Sequence, residues 1–139
     1  MTDCVFCRIV TGDAPSEIVA DNERALAVMD INPATDGHTL VISKAHAADI
    51  WELERVDGEA VWSLTSDVAG AIRDSLHPDG LTLFQANRKA GWQDVFHFHL
   101  HLVPRWSNDD LVKPWQSSSA RRDGIGEAAA KICSELGSS

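Results

Sequence analysis

Three of the chain's six histidines fall at alternate positions, in the run Phe96-His97-Phe98-His99-Leu100-His101-Leu102-Val103. On a β-strand successive side chains point to opposite faces. The pattern therefore predicts a strand over 95–103, with His97, His99 and His101 on one face, about 7 Å apart. Phe96, Phe98, Leu100 and Leu102 take the other face and bind the strand into a core. Two chemistries suit such a row. His-x-His on a strand holds a catalytic zinc when a third imidazole completes the set. Alternatively the middle imidazole attacks an electrophile while its neighbours handle protons and charge. Clustered imidazoles suppress one another's protonation, which keeps a nucleophile neutral near pH 7. A merely solvated polar face is the bland alternative. Spacing alone leaves metal and nucleophile both open.

Cys4 and Cys7 form a C-x-x-C pair, an arrangement suited to zinc. A thioredoxin-type redox pair needs a βαβ setting, which the surrounding pattern lacks. Cys133 falls in a predicted terminal helix and is expected to pack. Three cysteines, an odd count, make no disulfide framework.

The elements that must position these groups are short. A helix is predicted over 4–11, stopped by Gly12 and Pro15. Strands are predicted over 18–20, 25–31 and 38–43, the last two separated by the turn-forming run Asn32-Pro33-Ala34-Thr35-Asp36-Gly37. Val61, Leu64, Val68 and Ile72 recur at helical spacing in a helix over 57–76, which halts at His77-Pro78-Asp79-Gly80. A strand over 81–86, a polar turn over 87–91 and the histidine strand follow, with Pro104 closing the latter. A last helix is expected over 126–136. Hairpin-like strands with helices inserted in blocks predict an α+β fold, an antiparallel sheet of about five strands, not a βαβ repeat. One domain is expected over 1–106, with 107–139 a C-terminal extension packed on it.

The chain has 139 residues, of which 21 are acidic and 12 basic, for a formal charge of -9. That balance repels phosphate backbones and anionic lipid, so neither nucleic acid nor a membrane is an expected partner. A small phosphorylated ligand stays compatible, because a pocket can be locally positive. No apolar run approaches the ~18 residues of a membrane span, and no basic-then-apolar leader opens the chain. The expected compartment is the cytoplasm.

The run from His97 to Val103 resembles the His-φ-His-φ-His-φ-φ motif of the histidine-triad family of nucleotide hydrolases and transferases. Met29-Asp30-Ile31-Asn32-Pro33 and the stretch Gly37 to His46 are similar to the family's first half, and Cys4 to Ile9 resembles the entry segment of its Hint-like branch. The likeness covers roughly residues 4 to 106. It implies a purine nucleoside phosphoramidase or related enzyme that releases AMP from phosphoramidate, acyl or aminoacyl derivatives. The Fhit-like alternative is dinucleoside polyphosphate hydrolysis, and a third is a nucleotide-binding regulatory protein with little turnover.

By the resemblance, His99 attacks the α-phosphorus to give a covalent nucleotidyl-imidazole, which water hydrolyses. His101 touches the phosphate, His97 is the triad's first member, and His38 supports the nucleophile's surroundings. Asp30 matches the carboxylate that accepts from the two ribose hydroxyls, a task for an acceptor-only group. Asn87 and Gln93 offer amides to the phosphate and leaving group. Phe6, Ile9, Val28 and Ile31 correspond to walls of the adenine pocket. No catalytic cofactor is implied. Some bacterial-type relatives hold a structural zinc, whose ligands here correspond to Cys4, Cys7, His46 and His97. Two positions depart from the pattern. Trp92 replaces a more usual glycine, and Asp94 stands where relatives often carry a small hydroxyl residue. An ionised Asp94 cannot donate to a phosphate, so it either points away or favours a cationic leaving group. The resemblance also implies a homodimer paired through the long helix and an adjoining strand. Trp62, off the helix's apolar stripe, and the loop residues Trp106 and Trp115 agree with a paired surface.

Overall fold

The computed structural model describes residues 3–137. Helix α1 (Val5–Thr11) starts at Cys4, whose thiol accepts from the Cys7 amide, and stops at Gly12 in the left-handed conformation. Five strands follow: β1 (Ile18–Asp21), β2 (Ala25–Met29), β3 (Thr39–Ser43), β4 (Gly80–Phe84) and β5 (His99–Arg105), with helix α2 (Arg55–Leu76) between β3 and β4. The sheet is wholly antiparallel, in the order β1-β2-β3-β5-β4. The last strand is thus inserted between β3 and β4, and the histidines lie inside the sheet.

Register decides what surrounds them. Leu26 lies opposite Ile42, Val28 opposite Leu40, Ile42 opposite His99 and Leu40 opposite His101. Paired residues share a face. Leu26, Val28, Leu40 and Ile42 form one buried cluster with Phe6 of α1, so the imidazoles share their face with an apolar floor. The other face carries Ala25, Ala27, Val41 and Leu102 against Val61, Leu64, Val68 and Ile72 of α2. Each of the four α2 side chains contributes about 1.5–3 kcal/mol by leaving water. Gly37, with φ of 88°, delivers the chain into β3 where a Cβ would collide with Leu76 Cδ1. That turn needs glycine.

The elements match those expected in type and order, with bounds shifted by up to two residues in most of them and by more in the histidine strand. The histidine strand starts at His99, not at 95. Phe98 accepts from Ser43 N at 3.5 Å, at the last residue of β3, but donates its own N–H to Ala47 O at 2.7 Å, beyond that strand's end, so regular pairing stops here. The strand also continues through Pro104 to Arg105. Pairing with β3 ends at Leu102, which leaves proline at a one-sided position where its missing N–H is tolerated.

The chain falls into two units, one up to Asp109 and one from Asp110. The second unit carries helix α3 (Ile125–Gly137), one residue longer at each end than its expected span. Among the described residues no helix is long and apolar enough to cross a membrane.

Candidate active site

Two clusters of polar groups meet at the start of β5. In the first, Cys4 Sγ is 3.3 Å from His97 Nδ1, and Cys7 Sγ is 3.3 Å from His46 Nδ1 and 3.5 Å from His97 Nδ1. The two Nδ1 atoms are 3.2 Å apart, and all four donor atoms lie within 4.8 Å of one another. Tetrahedral zinc bound by two thiolates and two imidazoles sets ligand-to-ligand edges of about 3.3–3.8 Å. The donor set fits that ion in type and spacing. His97 Nε2 lies 2.6 Å from Ser43 O. A carbonyl only accepts, so the proton sits on Nε2 and the Nδ1 lone pair faces the sulfurs, the orientation a metal ligand needs. Burial lowers the His97 pKa more than the Ser43 carbonyl raises it, which keeps the ring neutral.

The second cluster is built on His99, His101, His38 and Asp30. His99 Nδ1 donates to His97 O at 2.7 Å, so the free lone pair of the neutral ring is on Nε2. Phe6 meets this ring edge to face, with centroids 4.9 Å apart. Asp30 and His38 lie at the adjoining ends of β2 and β3, where Asp30 N donates to His38 O at 3.0 Å. The Ala34 amide donates to His38 Nδ1 at 3.0 Å, and His38 Nε2 is 2.9 Å from His101 Nδ1. The proton order follows from the amide, which can only donate. His38 carries its proton on Nε2 and gives it to His101 Nδ1, leaving His101 with an N–H at Nε2. Phe84 of β4 stacks on His101, with centroids 4.0 Å apart and planes at 8°.

Burial dominates the electrostatics. It lowers His101 to a pKa of about 4, helped by His99 and His38 and opposed by Asp30 and Asp94. Burial also lowers His38 against the pull of Asp30, whose Oδ2 is 3.4 Å from His38 Nε2. At neutral pH the pair is uncharged and its hydrogen-bond direction is fixed. The site can therefore present a lone pair at His99 Nε2 beside an N–H at His101 Nε2. Their ring centroids are 4.9 Å apart, closer than the strand repeat alone suggests, because the rings lean together. A nucleophile beside a hydrogen-bond donor is an arrangement for attack on a phosphoryl or acyl centre.

The remaining expected residues are distributed unequally. Phe6 and Val28 are buried in the floor beneath His99, with Ile9 packed against them, whereas Ile31 is 85 % exposed. Gln93 is buried: its Oε1 accepts from Arg88 N at 2.6 Å, and its Nε2 donates to Ala48 O and Val95 O. Both N–H bonds of that amide are committed to backbone. Asn87 Oδ1 accepts from Ile50 N at 2.8 Å, and its amide pairs with Gln85. These two residues brace the loop ahead of β5. Trp92 has φ of 75°, a conformation that costs a bulky residue energy and suits glycine. Asp94 does not point away: its Oδ1 is 3.7 Å from His99 Nε2.

Sequence reasoning missed Ser43, Ala34 and Phe84. Ala34 acts through its main-chain N–H and Ser43 chiefly through its carbonyl, with its hydroxyl further from His97 at 3.5 Å. Phe84 lies in a segment read correctly as a strand, but its partner His101 is a matter of register.

A family model described as HIT domain matches residues 11–108. A crystal structure of a HIT family protein from Bacillus anthracis superposes with a TM-score of 0.88 at 35% identity, covering 96% of each chain. A structure of a Zn-bound histidine triad family protein from Mycobacterium smegmatis gives 0.75 at 36% identity, covering 96% of this chain and 97% of that one. Adenylylsulfatase HINT3 of Arabidopsis thaliana is 33% identical over 123 residues, 88% of this chain and 61% of that protein.

Proposed function

Because this chain belongs to the HIT family, we propose that it hydrolyses AMP derivatives through a covalent nucleotidyl intermediate on His99. The substrates are adenosine phosphoramidates and acyl or aminoacyl adenylates. The observation that carries this reading is the His99 Nδ1 to His97 O bond at 2.7 Å, which leaves Nε2 with its lone pair and no proton to lose. His99 Nε2 attacks the α-phosphorus, and the bond to the leaving group breaks with its electron pair. A departing carboxylate leaves as it is, while a departing amine takes a proton from water. Water then attacks the phosphorus, releases AMP and restores the neutral imidazole. The His101 N–H bonds a phosphate oxygen as charge builds there. Asp30, an acceptor, receives the ribose hydroxyls. The apolar floor around Phe6 and Val28 faces the base. A relative named as an adenylylsulfatase agrees with hydrolysis at an adenylyl group.

In this reading Cys4, Cys7, His46 and His97 hold a structural zinc, which ties α1 to the start of β5. His97 serves the nucleophile only through its carbonyl. The dimer and a cytoplasmic setting belong to the same proposal. Steady-state assays on adenosine phosphoramidate and diadenosine polyphosphates test it. The phosphoramidate is expected to be the better substrate by at least about tenfold in kcat/KM. The opposite order favours the dinucleotide hydrolase, and AMP binding without turnover of either favours a regulatory binder.

A further inference from the structure

We infer that Asp94 selects substrates by the charge on the leaving group, favouring a cation and disfavouring an anion. The inference rests on the hydrolase reading above and assigns that site a determinant of specificity. Asp94 Oδ1 lies 3.7 Å from His99 Nε2 and also accepts the Val95 amide at 2.9 Å, which holds the carboxylate against the nucleophile. The Asp94 side chain is 81 % exposed while that of His99 is 5 % exposed, so the carboxylate stands at the open side of a buried nitrogen.

A reacting phosphorus sits about 3–3.5 Å from the attacking atom, and the departing atom lies one bond further. A charge a few bonds along the leaving group therefore falls within the ~8 Å screening length of the carboxylate. The guanidinium of Arg88, in the same loop, is engaged elsewhere. That guanidinium is 3.4 Å from Asp49 and stacks 4.5 Å over the ring of Trp51. Repulsion between Asp94 and the α-phosphate is common to all substrates of this site and cancels when leaving groups are compared.

Three AMP phosphoramidates that share the P–N bond isolate the effect: the ethylenediamine, propylamine and glycine conjugates, whose distal groups are an ammonium, a methyl and a carboxylate. In each turnover His99 Nε2 bonds to phosphorus, the P–N electron pair leaves on nitrogen, that nitrogen takes a proton from water, and water releases AMP. The variant is Asp94→Asn, whose amide oxygen still accepts the Val95 N–H. In the wild type kcat/KM is expected to fall from ammonium to methyl to carboxylate, by roughly three- to tenfold per step. In Asp94→Asn the series should close to within about twofold, mainly through a gain for the glycine conjugate. A flat series in the wild type, or the same slope in both proteins, overturns the inference while leaving the hydrolase reading intact. Equal loss on all three conjugates assigns Asp94 a purely structural role and also overturns it. If the wild type cleaves none of the three, the hydrolase reading falls and takes this inference with it.

Discussion

At the scale of single residues, the site's chemistry depends on which nitrogen of each imidazole carries the proton. Partners that cannot change role set that choice: the carbonyls of His97 and Ser43 and the amide of Ala34. The histidine row was legible in the sequence because alternation is a one-dimensional pattern. The tautomers were not, since main-chain partners leave no mark in residue type. A pH dependence follows from His101, which burial lowers from 6.5 to about 4. The folded state favours the neutral ring, and the unfolded chain binds the proton more readily. The resulting stability is whole above the unfolded value of 6.5 and is lost as pH falls through about 4. His38, lowered in the same direction, adds to it. Thermal melts between pH 7 and 4 are expected to show a falling midpoint in the wild type and a shallower fall in His101→Gln. Equal slopes would contradict the burial account.

At the scale of elements, β5 places the histidines and the chain on either side of it divides their tasks. Strand periodicity put His97, His99 and His101 on one face, and the sheet keeps His99 and His101 there. His97 precedes the strand, and its ring serves the cysteine pair on α1. That division depends on Phe98 bonding to Ala47 past the end of β3, a long-range closure that local patterns do not encode. The same holds for Asn87 and Gln93, whose turn-forming types were legible but whose amides also reach across to the 48–50 segment. If zinc ties α1 to β5, purified protein carries about one ion per chain, and Cys4→Ser lowers that occupancy. Chelation should then lower the melting temperature while turnover at His99 persists below the new transition. Immediate loss of turnover without any loss of thermal stability would instead assign the metal to catalysis.

At the scale of the whole molecule, several large apolar side chains stand at the surface. Trp51 is 67 % exposed, Trp62 61 % and Phe96 53 %. Ile50, Leu53, Trp62 and Phe98 line one groove beside α2. A two-fold pair would cover such a patch twice with a single set of contacts. Light scattering at micromolar concentration is expected to give about twice the chain mass of 15.1 kDa. A fully active species at the single-chain mass would contradict the dimer. The central claim concerns His99, and intact-mass spectrometry of acid-free quenched reactions with adenosine phosphoramidate tests it most directly. The wild type should gain one adenylyl mass, mapped to His99 by peptide fragmentation. His99→Ala should gain none and lose turnover by at least about a thousandfold, with AMP binding largely kept. An adduct on another residue, or normal turnover by His99→Ala, would contradict the account.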